Sequence, residues 1–285
     1  MFEENIKHQI YNVLRLNSGN EIVVFDNSGY EYLVELRNVN DVSFHGIVRN
    51  KIEVNTEPSI EITVLQSVLK SNEKFEYVLQ KCTELGVKRF VPIIASRCVP
   101  KITSRWIDAK RQRWGKIICE SAEQSGRVLL PELLDLQYFN EACNLNYEPS
   151  VILWEDEKVD SIRNSLSLIA RGSTNSKSNI NVIVGPEGGF EKSEIQYAKS
   201  LGIKPVSLGR RILRADTAGI AAVSCIMYEF DQFNICEVDC RKANDLMFCK
   251  KNDGNEGAFI RTEAETVVLQ PSQFEEYRKR NFKRL

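Results

Sequence analysis

Two loops carry the residue types best suited to chemistry in this chain of 285 residues. Val182-Ile183-Val184-Gly185-Pro186-Glu187-Gly188-Gly189-Phe190 is a β-branched run that stops in a glycine-rich turn, and a helical pattern follows over 191–201. Glycines let a ligand approach the main chain, and the free amides of a helix start favour electronegative groups. Pro205-Val206-Ser207-Leu208-Gly209 then leads into Arg210-Arg211-Ile212-Leu213-Arg214-Ala215-Asp216-Thr217-Ala218, again strand, loop and helix. Three arginines surround an apolar pair there, and Asp216 or Thr217 is expected to cap the helix through a side-chain oxygen. Two such loops at neighbouring strand ends make a pocket. The first loop has neither the Gly-Lys-Ser/Thr of a phosphate-binding loop nor the G-x-G-x-x-G of a dinucleotide site, so neither ligand class is indicated.

A third constellation is Glu120-Ser121-Ala122-Glu123-Gln124-Ser125-Gly126-Arg127. Glu120 and Gln124 share a helix face, as do Glu123 and Arg127. Arg127 is expected to emerge just past the helix end, free to reach an anion. Upstream, Arg105-Trp106, Lys110-Arg111, Arg113-Trp114 and Lys116 interleave cations with aromatic rings, a pattern suited to phosphate contacts and base stacking.

The elements that must hold these residues change character along the chain. Residues 1–70 read as short strands (21–25, 30–36, 44–48 and 60–65) separated by turns, which predicts a small β-barrel. After Ser71-Asn72-Glu73 the period becomes helical: Phe75, Val78, Leu79, Cys82 and Leu85 share a face, with Gly86 at the C-terminal end. Strand 89–94, helix 105–126, strand 151–154 and helix 159–170 precede the two glycine loops. Strands alternating with helices over 71–235 predict an α/β domain with a parallel sheet covered on both faces. Residues 172–181 read as a polar surface loop. Residues 236–285 form a mixed, polar tail without an assignable role, ending in a basic helical pattern at 274–285.

Composition bounds the function. A net charge of −1 and a pI near 6.3 create no global basic field, so any nucleic-acid surface must be local. No apolar run approaches a membrane span of roughly 18 residues, and the N-terminus lacks a signal peptide's pattern, so a cytoplasmic protein is expected. Of the 8 cysteines, Cys82, Cys98, Cys119, Cys143 and Cys225 fall in apolar or helical patterns, which predicts reduced core thiols. Cys236, Cys240 and Cys249 match no zinc spacing, and no metal is expected.

Taken together the chain resembles the bacterial ribosomal RNA small subunit methyltransferase E family, which methylates N3 of a uridine in 16S rRNA. The resemblance rests on His8-Gln9-Ile10-Tyr11-Asn12-Val13-Leu14-Arg15-Leu16, on Gln80-Lys81-Cys82-Thr83-Glu84-Leu85-Gly86-Val87, on 120–127, on 184–190 and on 208–218, in that order. It implies a SPOUT-type α/β fold with a C-terminal trefoil knot, a preceding PUA-like β-barrel, a homodimer, and the 30S subunit as partner. It also implies S-adenosylmethionine as cofactor, held by Val184, Gly185, Pro186, Glu187, Gly188, Gly189, Leu208, Gly209, Ile212, Leu213, Thr217 and Ala218. Uridine N3 carries a proton at neutral pH. Arg127 and Arg214 are candidates to stabilise the imide anion, and Glu123, Glu187 and Asp216 to accept the proton. RNA contacts are expected from Arg15, Arg111, Arg113, Gln124, Arg127 and Arg211. The family pattern usually has glutamate where Asp216 stands. The competing readings are the same chemistry on another RNA site, and a non-catalytic ribosome-assembly factor that keeps the fold.

Overall fold

Strand alternation near the N-terminus produces a small antiparallel sheet of β1 (Glu21–Phe25), β2 (Tyr30–Arg37) and β3 (His45–Glu53), in that order. Leu36 and Ile10 are buried beneath it, with Leu16 and Ile22 packed around them. The computed structural model describes residues 10, 12, 14–37, 45–100, 103–144, 149–172, 179–233, 249–250, 256–261 and 266–269. His8, Gln9, Tyr11 and Val13, most of the loop expected at 172–181, Cys236, Cys240 and the helix expected at 274–285 lie outside these residues.

The run expected to continue the barrel does not join it. Glu61–Ser67 (β4) lies in a seven-stranded sheet, paired in parallel with β5 (Arg89–Ile94) and β9 (Asn179–Val184). Its burial explains the difference: every residue after Glu61 is buried, and a strand covered on both faces belongs in the middle of a parallel sheet. The first seventy residues are therefore not one barrel.

The remaining elements are α1 (Asn72–Glu84), α2 (Ser104–Ser125), β6 (Glu132–Leu133), β7 (Gln137–Tyr138), α3 (Phe139–Asn144), β8 (Ser150–Leu153), α4 (Ile162–Gly172), α5 (Lys192–Ser200), β10 (Lys204–Val206) and α6 (Ala215–Glu229). The sheet order is β10-β8-β9-β4-β5-β6, with β7 also on β5, and every pairing is parallel. Proline cannot donate to a ladder, so its positions are informative. Pro205 lies in the edge strand β10. Pro92 falls where β5 changes partner, between Phe90 opposite Leu133 and Ile93 opposite Gln137.

Successive side chains of a strand point to opposite faces, and here each face has its own core. Val64, Val151, Val182 and Val184 pack with α1, α2, α4 and α6 through Phe75, Trp114, Leu166 and Val223. Leu65, Ile152 and Ile183 pack on the other side with Phe139 of α3 and Ile195 of α5. Cys82 and Cys143 sit in these cores, and burial pushes both thiols up, Cys143 to about 12. Cys225 is exposed on α6 and is not a core thiol. Gly126 ends α2 in the left-handed region (φ 70°), where glycine carries no side-chain penalty.

Residues Phe233–Leu285 form a separate compact unit. Among its described residues β11 (Cys249–Lys250), β12 (Glu256–Arg261) and β13 (Thr266–Leu269) make an antiparallel sheet, structure that the polar, mixed composition concealed.

Candidate functional site

The C-terminal ends of β9, β8 and β10 stand in register. Ile152 pairs with Ile183 and Leu153 with Val206, so Val184, Leu153 and Val206 finish side by side. Loops leaving the carboxyl ends of parallel strands are where open α/β sheets bind ligands. Here three such loops enclose a cleft of about 920 Å³, within the usual range of roughly 300–1,000 Å³ for small-molecule sites.

The glycine loop after β9 is fixed from several directions. Gly189 N donates to Pro186 O (2.9 Å), and both carboxylate oxygens of Glu187 accept from the Lys70 amide at 3.0 and 3.3 Å. Arg97 Nη1 donates to Gly188 O at 2.9 Å. Glu194 closes the start of α5 by accepting from the amides of Glu191 (2.8 Å) and Ser96 (2.9 Å). Gly189 has φ +68°, and a β-carbon there would collide with Oε1 of Glu155. The loop is thus a pre-formed wall rather than a loose turn.

Of the twelve residues expected to hold a cofactor, eleven line the cleft: Val184, Gly185, Pro186, Glu187, Gly188, Gly189, Leu208, Gly209, Ile212, Leu213 and Ala218. Thr217 does not. The helix after the second loop starts earlier than expected, with Arg214 at the N-cap and no side-chain cap. Thr217 N and Ala218 N instead donate to Arg214 O at 2.9 and 2.8 Å. Asp216 and Thr217 therefore lie inside the first turn and cap nothing. An acidic side chain in that turn still interacts favourably with the helix dipole.

The four residues expected to be catalytic are not brought together. Arg214 lines the cleft, while Asp216 sits next to the lining residue Ala215. Glu123 is exposed on α2 and is no part of the cleft. Arg127 is 4% exposed and points away. Its Nε and Nη2 meet Glu57 at 3.0 and 2.5 Å, and its Nη1 donates to the carbonyls of Thr83 (2.9 Å) and Val87 (3.0 Å). The side chain expected to emerge free from the helix end is consumed in tying it to the β3–β4 connection.

The basic, aromatic stretch also differs from expectation. Trp114 is buried against Phe75 (ring centroids 4.5 Å apart) and offers no free face to a base, while Trp106, in T-shaped contact with it at 5.9 Å, is partly buried against the same core. Arg113 forms a fork with Glu76 (2.5 and 2.7 Å), and its hydrogen bonds hold that carboxyl below its ordinary range. Arg111 pairs with Asp135 and donates to Leu133 O. Arg15, Gln124 and Arg211 are exposed, and Arg211 lies on the cleft.

Sequence reasoning missed the third loop, 154–161, which follows β8, and it missed Lys74 on α1. The loop's signal was available, because a strand at 151–154 had to end beside its neighbours. Its Glu155-Asp156-Glu157 run, however, has no glycine to mark it. Among the described residues no helix is long and apolar enough to cross a membrane, and no group of three or more His, Cys, Asp or Glu could hold a metal ion.

Comparison with known proteins agrees with this geometry. Residues 56–227 match the RNA methyltransferase domain family and residues 3–48 its PUA domain. The ribosomal RNA small subunit methyltransferase E of Bacillus subtilis is 32% identical over 78% of this chain and 87% of its own length. That of Buchnera aphidicola subsp. Schizaphis graminum is 30% identical over the same shares. The crystal structure of a ribosomal RNA small subunit methyltransferase E from Neisseria gonorrhoeae, bound to S-adenosyl methionine, superposes with a TM-score of 0.69 at 28% identity, covering 80% of this chain and 90% of that one. With a family match across most of the α/β unit and relatives aligned over most of their length, this chain belongs to the ribosomal RNA small subunit methyltransferase E family of RNA methyltransferases.

Proposed function

We propose that this chain transfers the methyl group of S-adenosylmethionine to N3 of a uridine in the 16S rRNA of the small ribosomal subunit. In the same reading it works in the cytoplasm as a homodimer, its sheet closed by a C-terminal trefoil knot and preceded by a PUA-like β-barrel. The observation that carries the reading is the three-loop cleft, whose character suits a neutral adenosine. Leu208, Ile212 and Leu213 provide apolar walls and the glycine loop provides main-chain partners, and that loop lacks the Gly-Lys-Ser/Thr of a phosphate-binding loop. The solved relative from Neisseria gonorrhoeae carries S-adenosyl methionine. When bound, this cofactor supplies an electrophilic methyl group on a sulfonium, so the protein's task is to align the nucleophile and exclude water.

Arg214, on the cleft at the start of α6, is placed to stabilise the imide anion of the target base. Among the three candidate proton acceptors, Glu187 already has both oxygens on the Lys70 amide and Glu123 lies outside the cleft. Asp216 does not line the cleft either, but it lies two residues beyond Arg214 and beside the lining residue Ala215, nearer the cleft than Glu123, and is assigned that role. Arg211 on the cleft and the exposed Arg15 and Gln124 are the groups left to contact RNA.

Methylation of 30S particles from a strain lacking the modification, followed by nucleotide mapping, tests the reading. A single N3-methyluridine in 16S rRNA is expected, and a methyl group on another base or RNA would replace it with a different target. Arg214→Ala is expected to lower kcat by about 10²–10³ without moving the melting temperature. Unchanged turnover would remove Arg214 from the site.

A further inference from the structure

The cleft is lined by four carboxylates, Glu155, Glu157, Asp160 and Glu187, and they are not equivalent. Glu187 is occupied by the Lys70 amide. Glu157 is occupied by the amides of Val159 (2.8 Å) and Asp160 (3.2 Å), which hold its carboxyl below the ordinary range while shaping the turn after β8. Asp160 is tied in through its carbonyl to Ser207 N (2.8 Å) and also borders a smaller crevice against α4 and the α5–β10 turn. Glu155 alone lies against the glycine loop, its Oε1 filling the space a side chain on Gly189 would take. Among the described residues no group donates to its carboxylate. The neighbouring Lys158 Nζ donates to the Glu155 main-chain carbonyl (3.3 Å).

The position of Glu155 within the sheet narrows its partner. β8 stands between β9 and β10, so its loop is the middle one of the three that form the cleft. A nucleoside-based cofactor also has a middle, the ribose, with the base on one side and the amino acid on the other. An ionised carboxylate only accepts hydrogen bonds, and its two oxygens match two adjacent hydroxyl donors. We infer that the Glu155 carboxylate accepts hydrogen bonds from the vicinal ribose hydroxyls of the cofactor and thereby selects a ribonucleoside. This rests on the S-adenosylmethionine reading above.

Calorimetric titration of the full chain with S-adenosylhomocysteine and with 5′-methylthioadenosine tests it. The second ligand keeps the ribose diol and lacks the amino-acid part. Glu155→Ala is expected to weaken both ligands by about tenfold or more, the loss of hydrogen bonds to a charged acceptor. Glu155→Gln, which keeps one acceptor oxygen, is expected to fall between Ala and the parent chain. The ligand-free melting temperature should not move, because the side chain is exposed. Weakening of S-adenosylhomocysteine alone would mean that the carboxylate meets the amino group and would overturn the inference. Unchanged affinity for both ligands in the variants would also overturn it. Failure of the parent chain to bind either ligand would overturn the cofactor reading itself, a result distinct from the other two.

Discussion

Arg127→Ala is expected to lower the unfolding free energy by about 3–5 kcal/mol, the cost of breaking a buried ion pair by removing one partner. Arg127 is 4% exposed, and its removal strands the Glu57 carboxylate together with the carbonyls of Thr83 and Val87. For a protein of this size the loss corresponds to a fall of about 10 °C in Tm. Lysine should not restore it, because one ammonium cannot satisfy a carboxylate and two carbonyls in the fork geometry of a guanidinium. A thermal melt read by circular dichroism decides the point, and a fall of less than about 2 °C would deny the side chain this structural role. Cofactor affinity measured well below the melting range should match the parent chain, since Arg127 is not part of the cleft. A purely catalytic arginine would show the reverse pattern, full stability with no turnover.

Gly189→Ala should damage the cleft rather than the fold. The residue has φ +68°, a region that costs an L-residue about 1–2 kcal/mol, and the new methyl group must displace the Glu155 carboxylate. The loop is held by Lys70, Arg97 and Ser96 from outside, so it cannot easily yield as a body. Affinity for S-adenosylhomocysteine is expected to drop by about tenfold or more, with a stability change limited to about 1–2 kcal/mol. The same substitution in a Glu155→Ala background should cost less, because the group it displaces is already gone. Parental affinity in Gly189→Ala would mean that this loop is not a wall of the cofactor site.

Local pattern revealed most of the α/β unit and much of the cleft. The spacing of Phe75, Val78, Leu79 and Cys82 marks α1, Gly126 marks the end of α2, and the two glycine-bearing loops do face one cavity. The errors share a physical origin, dependence on partners distant in sequence. Ile62 to Leu65 is a good strand in any sheet, and only its pairing with β5 and β9 shows which sheet it joins. Arg127 looks free until Glu57, far back in the chain, is seen to reach it. Trp114 looks like a stacking platform until Phe75 of α1 is seen to cover it. Asp216 and Thr217 were reasonable caps by residue type, yet the helix begins at Ala215 because the Arg214 carbonyl already accepts from the first-turn amides.

The in-register ending of β8, β9 and β10 also has a kinetic meaning. During synthesis the chain emerges from its N-terminus, and parallel strands pair only after long connections have closed. β10 is a three-residue edge strand and the latest of the seven in the chain, and α6, whose first turn completes the cleft, follows it. A nascent chain can therefore bury β4, β5 and β9 and still possess only two of the three loops. Within the α/β unit the ligand site comes into being in the final docking event, so ligand occupancy reports completion of that unit and stabilises the segment of it that arrives last.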